Sequence, residues 1–166
     1  MAADKEAAFK KIFEANSKKI YHLCYGYTGD EDSANDLMQE TFLKVWQNLD
    51  KFRNQAMIST WIYRIAVNTC LTYLRSEKRQ AKDELTPELE ETTGEVLSEK
   101  NEQVAQLYKC ISKLEETERI IITMVLDEVP YPEIAEISGI SEGNLRVKVF
   151  RIKQRLTELY NQYERL

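Results

Sequence analysis

Five positive charges fall within residues 132–156, PEIAEISGISEGNLRVKVFRIKQRL: Arg146, Lys148, Arg151, Lys153 and Arg155. Arg and Lys can hold phosphates or reach the O6 and N7 edge of guanine. Asn144 can read adenine, and Val147 can touch a thymine methyl. A second polar series, Arg64, Asn68, Thr72, Arg75 and Arg79, recurs at helical spacing and suits a phosphate backbone. The third set is of another kind. Asp36, Gln39, Glu40, Leu43 and Gln47 share one helical face, and a leucine among acids and amides there suits docking to a protein.

Each set needs an element to present it. Ahead of the basic run, Ile134, Ala135 and Ile137 mark a short buried face, with Pro132 suited to a first helical position. Gly139 can take the left-handed conformation that ends a helix, and Ser141 can cap the next one. In that second helix Leu145, Val149, Ile152 and Leu156 recur at spacings of four, three and four, an apolar stripe that leaves the basic flanks free. Two short helices joined at a glycine turn match the helix-turn-helix that enters a DNA major groove. An amphipathic core helix with a charged exterior has the same spacing, so the choice rests on the rest of the chain.

The N-terminal half supplies two longer helices. Ala34, Leu37, Met38, Thr41, Phe42, Val45, Trp46 and Leu49 form one buried stripe, and Trp61, Ile62, Ile65, Ala66, Thr69 and Tyr73 form another. Trp61 reads as core. Tyr63 fits either core or a stacking platform for unpaired bases, because it sits beside basic residues.

Composition sets the outer limits. The 166 residues are 43% hydrophobic, enough for one ordinary domain or two small ones. Five glycines and three prolines beside abundant Glu, Lys, Leu and Ile point to an all-helical fold. No run is long enough to span a membrane, and the N-terminus lacks a signal-peptide core, so no membrane insertion is expected and the cytoplasm is the default. Cys24, Cys70 and Cys110 have no CxxC spacing and read as buried, reduced thiols. The net charge of −5 argues at first against a nucleic-acid partner, but residues 81–102 hold eight acids against Lys82 and Lys100, so the rest of the chain is about +1. With Pro87, Gly94 and little apolar periodicity, that segment reads as an acidic linker between domains at 1–80 and 103–166, with a polar surface helix as the competing reading. Packing of these domains on each other in the free protein is expected to hide their basic faces.

Catalysis finds little support. His22 has no Cys, Asp or Glu at metal-ligand spacing and reads as a structural histidine, so no metal is implied. Glu90 and Glu91 lack a scaffold to hold catalytic geometry, and no glycine-rich phosphate loop implies a nucleotide cofactor.

Three stretches, DEDSANDLMQETFLKVWQNL, STWIYRIAVNTCLTYLRSEKR and PEIAEISGISEGNLRVKVFRIKQRL, resemble in kind, order and separation those of extracytoplasmic-function sigma factors of bacterial RNA polymerase. The resemblance implies a transcription initiation factor that is not an enzyme and binds core RNA polymerase through the β′ clamp helices and β flap. It also implies promoter DNA and an anti-sigma factor as partners. By similarity, Asp36, Gln39, Glu40 and Leu43 meet the clamp helices. Asn54, Gln55, Ala56, Met57, Arg64 and Asn68, with Arg75 on the same polar face, would open the −10 element and hold a flipped base. Ser141, Asn144, Arg146, Val147, Lys148, Arg151 and Lys153 would meet the −35 element. Departures stand beside the match. Thr72 replaces a frequent Asp, NLRVK at 144–148 replaces a Thr-Val-Lys-Ser-Arg series, and Pro130 and Pro132 stand where glycine and serine are usual. A helix-turn-helix regulator acting without polymerase and a protein-interaction adaptor are the competing readings.

Overall fold

A computed structural model describes residues 2–53, 57–83 and 99–164, and these are helical with no strand among them. Helices α1 (Ala2–Thr28), α2 (Glu31–Asn48) and α3 (Ile58–Asp83) form the N-terminal domain, with a 3-10 turn at Leu49–Lys51. Helices α4 (Glu99–Ile111), α5 (Glu116–Leu126), α6 (Tyr131–Ser138) and α7 (Glu142–Glu164) form the C-terminal one.

Local chemistry fixes most of the boundaries. Gly29, at φ 70°, ends α1, and its N–H donates to the Tyr25 carbonyl at 2.8 Å. Asp30 then caps α2, accepting from the Ser33 N–H at 2.9 Å and hydroxyl at 2.7 Å. Those bonds hold the Asp30 carboxyl below its ordinary range. Helix α5 starts on a capping box in which Glu115 and Glu118 serve each other's backbone. Gly139, at φ 74°, ends α6, and Ser141 Oγ accepts from the Asn144 N–H at 3.3 Å to start α7. The expected turn is therefore present, although α6 begins at Tyr131 and Pro132 occupies its second position.

Both apolar stripes are buried as their spacing requires. Phe9 and Phe13 of α1 meet Trp46 and Phe42 of α2, with ring centroids 5.3 and 4.8 Å apart. Trp61 is half-buried against Phe52, so it is core. Leu145, Val149, Ile152 and Leu156 all face inward. All three cysteines are free and buried. Cys24 and Cys70 lie 3.9 Å apart, and their mutual hydrogen bond together with burial drives the Cys70 thiol far above its ordinary range.

The segment read as a linker, residues 81–102, is helical at both ends, since α3 continues to Asp83 and α4 starts at Glu99. Lys and Glu are good helix formers and extend the flanking helices rather than stopping them. Pro87 and Gly94, with the remainder of that segment, lie outside the described residues.

The two domains share one continuous core across a seam where α1 meets α5 and α3 meets α6. Arg119 donates to the Tyr27 carbonyl at 2.8 Å. His22 Nδ1 donates to Asp127 Oδ1 at 2.9 Å, which makes this half-buried histidine a tie between domains. Tyr25 packs edge-on against Tyr108, whose hydroxyl burial pushes up to about 12.

Candidate nucleic-acid interface

Helix α7 presents its basic flanks to solvent because its apolar stripe is spent on α4, α5 and α6. Asn144, Arg146, Val147, Arg151 and Lys153 are exposed and Lys148 is half-buried, so the expected −35 residues lie together on one open helix. Val147 remains 51% exposed, and Phe150, one turn on, 62%. The sequence places Phe150 on the free flank with Arg146 and Lys153 but not among the expected −35 residues; a large aromatic left open between basic side chains is the signal that marks it. Arg146 is held at 3.0 Å by Glu142 on its own helix, and its guanidinium stacks over Tyr131 with the ring centroid 5.1 Å away. Ser141 is committed to capping, so its contribution is to aim the helix.

The polar face of α3 is only partly open. Asn68, Thr72 and Arg75 are exposed, as is Met57, 62% exposed just ahead of the helix. Asn54, Gln55 and Ala56, expected to join them, lie outside the described residues. Arg64 faces the C-terminal domain, 3.3 Å from the Glu136 carboxylate and 3.4 Å from the Glu136 carbonyl oxygen. Tyr63, which the sequence left between core and stacking platform, is 3% exposed. Burial raises its hydroxyl well above the ordinary range, and the charges of Asp127 and Glu133 add to the shift.

The third face lies on α2. Asp36, Gln39, Glu40 and Gln47 are exposed around Leu43, itself 55% exposed, while Phe42 and Val45 beside it are buried. Glu40 also reaches Lys44 at 3.3 Å, and Lys44 donates to Thr69 at 3.1 Å, so this edge of α2 is fastened to α3.

An all-helical chain whose helix-turn-helix leaves a basic, amide-bearing helix open is a DNA-binding protein of transcription, and its second domain carries a further apolar-and-acidic face. Its particular family follows from comparison with known proteins. Residues 12–80 match the model of Sigma-70 region 2, and residues 105–156 match that of Sigma-70 region 4. The chain is 32% identical over 162 residues to the ECF RNA polymerase sigma-E factor of Escherichia coli K12, covering 90% of this chain and 84% of that one. It is 32% identical to SigW of Bacillus subtilis, covering 90% and 87%, and 28% identical to SigM of the same organism, covering 92% and 94%. Its fold is similar to that of the sigma factor RpoE in a complex with the anti-sigma factor NepR from Bartonella quintana. The TM-score is 0.81 at 22% identity, covering 93% of this chain and 97% of that one. The chain belongs to the family of extracytoplasmic-function RNA polymerase sigma factors. It is a promoter-specific transcription initiation factor and not an enzyme. Among the described residues no helix is long and apolar enough to cross a membrane.

Proposed function

We propose that this sigma factor divides promoter recognition between α7 and α3, and polymerase binding between α2 and the C-terminal domain. On α7, Asn144, Arg146, Val147, Lys148, Arg151 and Lys153 read the −35 duplex, with Ser141 capping the helix that carries them. Around α3, Asn54, Gln55, Ala56, Met57, Arg64, Asn68 and Arg75 engage the −10 element, where capture of an unpaired base drives melting without bond chemistry. Asp36, Gln39, Glu40 and Leu43 receive the β′ clamp helices, and the C-terminal domain meets the β flap. The acidic stretch within 81–102 connects domains that span 1–80 and 103–166. The protein acts in the cytoplasm with polymerase, and an anti-sigma factor is its partner, as NepR is for the sigma factor RpoE in the complex from Bartonella quintana.

The observation that carries the reading is the exposure of Leu43 at the centre of an acid-and-amide face while Phe42 and Val45 beside it are buried. A DNA-binding regulator acting alone has no use for that surface, and an adaptor has none for the open basic flanks of α7. Transcription in vitro with core polymerase and a genomic promoter library tests it. Promoter-specific initiation is the expected result, and duplex binding without initiation would return the protein to the class of polymerase-independent regulators.

A further inference from the structure

Tyr131 opens α6 between two prolines, whose rings narrow the backbone on either side of it. Pro130 caps the helix at φ −60°, and its carbonyl accepts from the N–H of fully buried Ile134 at 3.0 Å. The Tyr131 side chain is itself half-buried and packed against the core, so its ring has little freedom of its own. The first turn of α7 is held as well. The N–H of Leu145, also fully buried, donates to the Ser141 carbonyl at 2.8 Å. Arg146 therefore leaves a rigid backbone, and only its long side chain is free to choose a conformation.

Two contacts make that choice. The guanidinium lies over the Tyr131 ring, 5.1 Å from the centroid, and Nη2 donates to Glu142 Oε1 at 3.0 Å. The ring comes from α6 and the carboxylate from the preceding turn of α7, so a planar group is held by one face and one end. An exposed ion pair one turn apart contributes less than a cation–π contact, which makes the ring the stronger restraint. Among the described residues no protein group bonds Nη1 or Nε, and the Arg146 side chain stays 62% exposed. It thus keeps N–H donors for the O6 and N7 edge of a guanine. Left unrestrained, the same side chain could swing to a phosphate, which carries no sequence information, and would surrender more rotamer freedom on meeting a base.

We propose that Tyr131 is a positioning residue for −35 recognition. Its ring holds the Arg146 guanidinium in the orientation that reads a guanine edge, so a side chain on the first helix of the helix-turn-helix sets base preference at a position read by the second. Tyr131 acts through Arg146 and touches no base. This rests on the −35 assignment of Arg146 given above.

The test uses the full chain and a pool of duplexes with a randomised central segment, and base preference is read by sequencing the bound fraction. Arg146→Ala is expected to flatten the preference for guanine at one position. Tyr131→Leu, which keeps an apolar side chain against the core, is expected to lower preference at that same position by about two- to fivefold, the strength of a cation–π contact at an exposed site. Tyr131→Phe keeps the ring and should retain the parent preference. In the Arg146→Ala background Tyr131→Leu should change nothing further, because its route to the DNA is gone. Should Tyr131→Leu lose helix by circular dichroism, Tyr131→Met, unbranched and adaptable in a core, repeats the reading. An unchanged preference in the ringless variant would overturn the positioning role while leaving Arg146 on the interface. So would a loss in Tyr131→Phe as large as in Tyr131→Leu, which would put the hydroxyl on the DNA, or a loss that persists without Arg146, which would mean that Tyr131 acts through the fold of its domain. If Arg146→Ala itself leaves every position unaltered, or weakens all duplexes alike, the base-reading assignment of Arg146 fails and the positioning role with it.

Discussion

The two DNA-facing helices differ in what covers them. Helix α7 keeps Val147 and Phe150 more than half exposed, and Arg146 is bound only by residues of its own domain. At the start of α3, by contrast, Tyr63 is buried and Arg64 is paired with a carboxylate from the other domain. Packing of the domains therefore engages Arg64 at the start of α3, while Asn68, Thr72 and Arg75 along that helix and the flanks of α7 stay exposed, where the sequence led us to expect both basic faces to be hidden. On the proposed assignment, duplex −35 DNA is met by a helix that is already open, whereas −10 bases exist unpaired only once polymerase and promoter are assembled.

The contrast can be broken most severely at α2. Leu43→Asp with Gln39→Ala is expected to abolish co-purification with core polymerase while thermal unfolding stays near that of the parent, because exposed substitutions change stability by about 0.5 kcal/mol or less. A large fall in stability would show Leu43 to be core. A smaller effect is expected on α7, where Arg146→Ala and Lys148→Ala each weaken free protein on a −35 duplex. A base contact costs about 1–3 kcal/mol and relaxes preference at one position, whereas a phosphate contact weakens all sites alike and lowers the salt dependence. Unaltered binding and salt slope in the double variant would remove both residues from the interface.

Arg64→Ala sharpens the comparison from the other side. It should weaken −10 oligonucleotide binding by about tenfold, the energy of one charge-assisted contact. Unchanged affinity would remove Arg64 from the −10 face. The smallest effect concerns neither face. Asp30→Ala removes the cap of α2 and should lower stability by about 1 kcal/mol near neutral pH. The Asp30 carboxyl titrates below its ordinary value of 3.8 in the folded chain, so its contribution is complete above that value and is lost as the pH falls through the lower folded one. Acid unfolding curves of parent and variant should therefore converge below about pH 4, and a gap that persisted at lower pH would mean that the side chain acts there through something other than its charge.

Everything settled within a few turns of helix was legible in the residue order. Spacing identified the buried stripes of α2 and α7, because a side chain's neighbours at i+3 and i+4 are fixed by the helix itself. The turn at Gly139 and the cap at Ser141 were legible for the same reason, and so was the odd exposure of Leu43 opposite the stripe that buries Phe42. Even the helical ends of the acidic segment were missed only because Pro87, Gly94 and its sparse apolar periodicity were weighed above the propensity of Lys and Glu. The seam was not legible. His22 and Asp127 are 105 residues apart, and nothing local to either selects the other. Tyr63 could be assigned neither to core nor to surface until its burial in the assembled core was seen, since its own helix leaves both open. Gly26 alone carried a trace of the answer, an unexplained glycine in a helical run, and only the position of Thr123 on another helix says what that missing side chain is for.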